Sequence, residues 1–329
     1  MTPEPLPSKL IIRMPNWLGD CVMSAPVIAA IKKSRPEVSV SLLVKSGMDG
    51  LACLIPGVDD VITLEGDSRA VAWRVRNSRY DTALILPNSF RSAWEMWRAG
   101  VPVRVGYASD FRSVLLTHRV KRPQAHSMHM TDYYLRVAQA LFPEIMIGGA
   151  GIAPPSSAVI NSYELLPKTD RPLVGLGFGA SYGHAKMWAK ERYAELIGRL
   201  AETAEVVLLG AEPDREMERE IMAIAGGKAV SLVGKTGLVT LAAVMSRLSL
   251  YITNDTGPMH ISAGLGVPTI AIFGPTSPEE TRPLGVNVTV IRHKADCAPC
   301  FKRECPTDHR CMTAVTVDEI VETARRVVL

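Results

Sequence analysis

The residues best suited to chemistry in this 329-residue chain fall in four short polar loops. In Asn254-Asp255-Thr256-Gly257-Pro258-Met259-His260, a buried strand at 248–253 hands over to a helix beginning near 257. Asp255 is expected to cap that helix, and Pro258 suits a first turn that needs no amide donor. Thr256 and Gly257 would then offer a hydroxyl and backbone N–H groups at the positive helix end, which is a place for phosphate. Read alone, the same pattern also fits an ordinary turn with an Asx cap. The second loop runs from Gly177 to Lys186. Its glycines admit close backbone approach, Ser181 adds a hydroxyl, and Lys186 adds a point charge suited to phosphate. It is neither a Walker loop nor a regular GxGxxG fingerprint. In the third loop, Leu209-Gly210-Ala211-Glu212, Glu212 is either an acceptor for ribose hydroxyls or simply a helix-start acid beside Pro213. The fourth loop ends in Gly19-Asp20. Asp20 is either a general base or the cap of a helix starting at Cys21, and the two roles compete, because a capping carboxylate is the weaker base.

Ligands of open α/β sheets sit beyond the carboxyl ends of the strands, and all four loops occupy that position. Strands are expected at 10–14, 39–44, 60–64, 82–86 and 103–106, with helices between them and another near 131–141; the run 109–130 is less regular. A second alternating set has strands at 173–178, 205–209, 230–233, 248–253, 269–273 and 286–291. Its helices fall at about 190–202, 213–225, 238–247 and 257–265, and Thr316-Val317-Asp318-Glu319 opens one more as a capping box. Alternation of this kind predicts an α/β protein with parallel sheets covered on both faces. The expected architecture is two doubly wound, Rossmann-like domains facing a cleft. They are an acceptor-side domain at 1–155, a Gly-, Pro- and Ser-rich linker at 156–171, and a nucleotide-side domain at 172–329 ending in a helix.

Composition is that of an ordinary globular protein, with 47% hydrophobic and 21% charged residues. Residues 1–9 do not read as a secretion signal, and no apolar run approaches a membrane span. The six cysteines then suggest reduced thiols in a cytosol. The net charge is +4, but residues 69–136 hold 12 Lys and Arg against 4 Asp and Glu. Trp73, Trp94, Trp97, Tyr107, Tyr133 and Tyr134 lie among them. Such a face could meet nucleic acid, anionic lipid head groups or an anionic sugar, and a solvated helix face is the plainer alternative.

Taken together, several ordered motifs resemble the ADP-heptose:lipopolysaccharide heptosyltransferases, glycosyltransferase family 9, which have the two-domain GT-B fold. They are Pro15-Asn16-Trp17-Leu18-Gly19-Asp20, Gly179-Ala180-Ser181-Tyr182-Gly183 with Lys186 and Trp188, and Asn254 to His260. Trp97-Arg98-Ala99-Gly100, Arg104-Val105-Gly106-Tyr107, Leu115-Leu116-Thr117 and Cys297 to Pro306 look most like the heptosyltransferase II branch. The likeness covers nearly all of the chain after residue 9. It departs from the usual pattern at Gly177-Phe178, where Asn-Pro is common, and at His184, Met187 and Ala189, which replace frequent Pro, Arg and Pro.

The resemblance implies an inverting transfer of heptose from ADP-heptose to an inner-core heptose of lipopolysaccharide, carried on a lipid-linked acceptor at the cytoplasmic face of the inner membrane. It makes Asp20 the base. It gives the diphosphate to Ser181, Lys186, Thr256 and Gly257, the shaping of that loop to Asp255 and His260, and the adenosine ribose to Glu212. Lys186 would also meet the charge of the departing diphosphate. No cofactor is then required, with magnesium at most stimulatory. The protein is expected to be a monomer, peripheral to the membrane, with no nucleic acid as partner. Cys297, Cys300, Cys305 and Cys311 could hold a structural zinc, but only the first pair has the usual knuckle spacing, and reduced buried thiols are favoured. The rival readings are a nucleotide-sugar epimerase of the same fold, which would convert a nucleotide sugar with no acceptor, and a non-catalytic nucleotide-sugar or nucleic-acid binder, which ADP and RNA binding would reveal. A nicotinamide dehydrogenase is disfavoured by the missing glycine fingerprint.

Overall fold

The computed structural model describes residues 7–149 and 151–328. Residues 1–6, most of the stretch that does not read as a secretion signal, lie outside the described residues, as do residues 150 and 329. The chain divides into two compact units, Met1–Ala153 and Pro154–Leu329.

The first unit runs β1 (Lys9–Arg13), α1 (Leu18–Ser34), β2 (Ser39–Lys45), α2 (Leu51–Leu54), β3 (Asp60–Leu64), α3 (Ser68–Asn77), β4 (Thr82–Ile85), α4 (Phe90–Arg98), β5 (Val103–Tyr107), β6 (His118–Val120) and α5 (Met130–Gln139). Its sheet has the order β3-β2-β1-β4-β5-β6, with every neighbour parallel. The second unit runs α6 (Ser156–Ser162), β7 (Leu173–Gly177), α7 (Lys190–Leu200), β8 (Glu205–Leu209), α8 (Arg215–Ala225), β9 (Val230–Ser231), α9 (Leu238–Met245), β10 (Leu250–Asn254), α10 (Gly257–Gly264), β11 (Thr269–Ile272), α11 (Pro278–Thr281), β12 (Val288–Ile291), α12 (Arg310–Thr313) and α13 (Val317–Val327). Its order is β12-β11-β10-β7-β8-β9, again parallel throughout. Each sheet is therefore a doubly wound sheet of order 3-2-1-4-5-6. Each has one switch point, where the first strand of the unit lies beside the fourth.

The apolar runs of the inner strands β4, β10 and β11 are buried on both faces, as a helix-covered parallel sheet requires, while the edge strands β3, β6, β9 and β12 are only partly buried. In β10 all five residues are buried, and β7 buries its last four. The two strands pair from Leu250 against Val174 to Thr253 against Gly177. Close packing there leaves no room on β7: a Cβ at Gly177 would lie 2.9 Å from Thr253 Oγ1 and from the Tyr251 ring, and still closer to Tyr251 Oη. Trp188, Tyr193, Leu196 and Ile197 carry the core outward to α13 through Ile320 and Val321.

Five expectations need correction. Helix α1 begins at Leu18 with Trp17 at its N-cap and no side-chain cap, so Asp20 lies inside its first turn and does not cap a helix at Cys21. Helix α10 has Thr256 at its N-cap, again without a side-chain cap, so Asp255 precedes the cap position and does not fill it. The stretch expected to be a linker contains α6, which packs on α9 within the second unit. The irregular run 109–130 contains β6, a three-residue strand paired with β5. The capping box at α13 is half present: the Thr316 hydroxyl accepts from the Glu319 N–H at 3.2 Å, while the Glu319 carboxylate pairs with His293 at 2.8 Å.

The contrast between two glycines tests this packing. Gly177→Ala should destabilise the protein by about 1–3 kcal/mol through overpacking against Tyr251 and Thr253. Gly198→Ala, inside α7 and with nothing within 4 Å of the new methyl, should stabilise it by about 0.5–1 kcal/mol. Urea unfolding of the two variants is the measurement.

Candidate active site

The second unit gathers its polar loops at the switch point between β7 and β10. The loop after β7 turns through Ser181 and Tyr182 into a single 3₁₀ turn, His184–Lys186. The Lys186 ammonium reaches Asp255, just past β10, at 2.5 Å. Both side chains are largely buried, with 12% and 6% of their surface exposed. The same carboxylate oxygen accepts from the Thr276 hydroxyl at 2.6 Å. Lys186 also lies 4.8 Å from the centre of the Tyr182 ring, and the Arg303 guanidinium lies 5.5 Å from it. The carboxylate that was expected to cap α10 therefore anchors the lysine instead. An ammonium fixed this way has lost little freedom still to lose when it meets an anion.

The two loops are tied together through Asn254. Its Nδ2 donates to the Gly179 carbonyl at 3.1 Å, and Tyr193 Oη lies 3.1 Å from its Oδ1 and 3.2 Å from the Gly177 carbonyl. Burial pushes the Tyr193 phenol well up from its ordinary value, so it serves as a neutral donor. Thr256 and Gly257, half-buried, stand at the start of α10, with Thr256 Oγ1 3.3 Å from Thr253 Oγ1. His260 is buried one turn into the same helix. Ser181 is exposed. From below, the segment after β12 braces the Lys186 loop: Ala185 N–H donates to the Arg303 carbonyl at 2.9 Å, Tyr182 Oη donates to the Phe301 carbonyl at 2.7 Å, and His309 Nε2 meets the Ala185 carbonyl at 2.6 Å.

Glu212 lies beyond β8, exposed, in an ion pair with Arg215 at 2.7 Å. The next carboxylate, Asp214, accepts from the Ala211 N–H at 2.8 Å, and a Cβ at Gly179 would lie 2.6 Å from it. Glycine at 179 is thus what lets the β7 and β8 loops approach each other.

In the first unit Asp20 occupies the third position of α1, beyond β1 at that sheet's own switch point. It is half-buried, and its Oδ1 accepts from Tyr134 Oη at 2.8 Å.

Residues 68–310 match the model of glycosyltransferase family 9 (heptosyltransferase). The chain belongs to that family. It is 30% identical to lipopolysaccharide heptosyltransferase 2 of Escherichia coli, over 86% of this chain and 88% of that one. It is 26% identical to a lipooligosaccharide heptosyltransferase 2 of Campylobacter jejuni, over 96% and 97% of the two chains. Among solved structures, it superposes on the Escherichia coli ADP-heptose lipopolysaccharide heptosyltransferase II with a TM-score of 0.85 at 27% identity, covering 97% of this chain and 98% of that one. The GT-B expectation for the fold therefore holds.

Several residues of this candidate site carry no signal in the sequence pattern that marks the loops. Thr276 is the exception, since it lies in a polar loop beyond the end of β11 and meets the same criterion as the others. Tyr193 sits on an amphipathic helix, where a local pattern registers only core, and Tyr134, read in the sequence as one aromatic of a basic face, is buried. The cysteines give no ligand set: among the described residues no group of three or more His, Cys, Asp or Glu is arranged to hold a metal. Cys297 is exposed and Cys311 is buried.

The ion pair makes an energetic prediction. Asp255→Leu strands a largely buried ammonium and should cost about 3 kcal/mol. Adding Lys186→Met should recover part of that loss, because the penalty belongs to the unpaired charge. Calorimetric unfolding of the single and double variants decides it.

Proposed function

We propose that this protein transfers heptose from ADP-heptose to a heptose of the lipopolysaccharide inner core, with inversion at the anomeric carbon. The observation that carries the reading is the Lys186 ammonium, held at 2.5 Å by Asp255 at the switch point of the second unit, beside the first turn of α10. This is the part of a doubly wound sheet where a nucleotide's phosphates are received. The donor is taken from the similar Escherichia coli protein, an ADP-heptose lipopolysaccharide heptosyltransferase.

In the proposed reaction Asp20 takes the proton of the acceptor hydroxyl as its oxygen bonds to the anomeric carbon, and the bond from that carbon to the ADP oxygen breaks. The charge that develops on the leaving diphosphate is met by Lys186, by the Thr256 hydroxyl and by the N–H groups at Thr256 and Gly257. Ser181 adds a hydroxyl from the opposite loop, and Glu212 receives the ribose. Asp255 sets the position of Lys186, and His260 supports the helix turn behind it. Donors already in place cost no reorganisation when the charge appears.

The acceptor is lipid-linked, and α3 and α4 suit a membrane surface. They carry exposed Trp73, Phe90 and Trp97 with exposed Arg69, Arg76, Arg91 and Arg98. Aromatic rings and arginines together favour an interface bearing anionic head groups. Among the described residues no helix is long and apolar enough to cross a membrane. We take the protein to act as a monomer, peripheral to the inner membrane.

The test is transfer in vitro, with ADP-heptose and a core oligosaccharide ending in a single heptose. The wild type should release ADP and add one heptose by mass. Lys186→Gln should lower turnover by roughly 10²–10³, the scale of losing one preorganised donor to an oxyanion. EDTA should leave most activity, since protein groups supply the positive field. Unchanged turnover in Lys186→Gln at saturating donor would remove that residue from the reaction.

A further inference from the structure

Outside the loops of the second unit, one group of polar contacts centres on the start of α5 and reaches Asp20. Tyr134, on α5, is 3% exposed, and its hydroxyl donates to Asp20 Oδ1 at 2.8 Å. The hydroxyl has one proton to give. Burial, joined by the negative charge of Asp20, pushes the phenol well above its ordinary value, so it is a neutral donor at neutral pH.

The first turn of α5 is itself fixed from several sides. Tyr107 Oη donates to the Tyr133 carbonyl at 2.6 Å, and the Tyr107 and Tyr133 rings pack at 4.2 Å between centres. Asn88, beyond β4, donates from Nδ2 to Tyr133 Oη at 2.7 Å. His129 caps the helix by accepting from the Thr131 N–H at 3.1 Å, and Tyr133 and Tyr134 meet edge to face at 5.8 Å. Helix α5 packs along α1, which carries Asp20. Loops beyond β1 and β4, the two strands flanking the switch point of this sheet, are thus joined to one helix turn.

We infer that Tyr134 is a positioning residue for Asp20, fixing the rotation of the carboxylate so that it is aimed at the acceptor hydroxyl before the acceptor arrives. The inference rests on Asp20 being the general base. A nucleophile or base oriented by a third group is a recurring arrangement, in which the third group touches no substrate. Phenylalanine at 134 would keep the ring in place and remove this hydrogen bond from the carboxylate.

A double-mutant cycle tests this with the full-length protein, ADP-heptose labelled in the sugar, and the single-heptose core oligosaccharide. Tyr134→Phe should lower kcat by about 5- to 30-fold with the KM for ADP-heptose unchanged. Asp20→Asn should lower kcat by roughly 10²–10⁴. In the Asp20→Asn background, Tyr134→Phe should cost nothing further, because there is no base left to aim. Equal losses from Tyr134→Phe in both backgrounds would mean that the tyrosine acts through packing, and would overturn the inference. So would wild-type kcat in Tyr134→Phe. Wild-type kcat in Asp20→Asn would instead remove the base assignment on which the inference stands. Should Tyr134→Phe melt lower, all four proteins are compared at a temperature where their circular dichroism spectra overlay, and the same comparison applies.

Discussion

The candidate site of the second unit turns on one ion pair between the loops that leave two neighbouring strands. Lys186 follows β7, Asp255 follows β10, and the two strands pair residue by residue up to the point where the loops leave them. Break that adjacency and the ammonium has no carboxylate, Asn254 loses the Gly179 carbonyl, and α10 no longer starts beside the lysine. Glycine at 177 makes that adjacency sterically feasible, since a side chain there would meet Tyr251, and glycine at 179 lets the loop after β8 approach, since a side chain there would meet Asp214.

A paired lysine is a different device from a free one. With Asp255 beside it, the charge of the pair is balanced, so under the proposed function attraction for a diphosphate would come from the direction in which donors point more than from this lysine's charge. The N–H groups of α10 and the ammonium are then two preset contacts, and Thr276 keeps the carboxylate turned toward the lysine. The segment from Phe301 to His309 supports the other side of the loop through its backbone carbonyls and one histidine. In the first unit Asp20 is held in a comparable way, by a neutral phenol where the second unit uses a cation. Each sheet thus presents one carboxylate near its switch point whose orientation another residue fixes.

Much of this is legible in the chain. Apolar strands alternating with helices announce two parallel sheets, and Gly179 to Lys186 and Asn254 to His260 stand out because polar and glycine residues cluster after buried strands. What stays hidden depends on strand order. Lys186 and Asp255 are 69 residues apart, and only the placement of β10 beside β7 brings them together. Helix starts mislead where the cap is silent. Trp17 and Thr256 cap α1 and α10 with backbone alone, so Asp20 and Asp255, the nearest carboxylates, draw an assignment that their side chains do not fulfil. Tyr134 reads in the sequence only as one aromatic of a basic face, whereas it is buried, because its partner lies 114 residues away on another helix. Strand β6 is missed for its length, since three residues carry no period.

A crystal structure with ADP-heptose bound would show whether the paired lysine receives the diphosphate. The diphosphate should lie within hydrogen-bond distance, about 2.7–3.2 Å, of both the Lys186 ammonium and an N–H at Thr256 or Gly257, with Asp255 still on the lysine. A diphosphate seated away from the switch point of the second unit, with the Lys186–Asp255 pair untouched by it, would contradict that role.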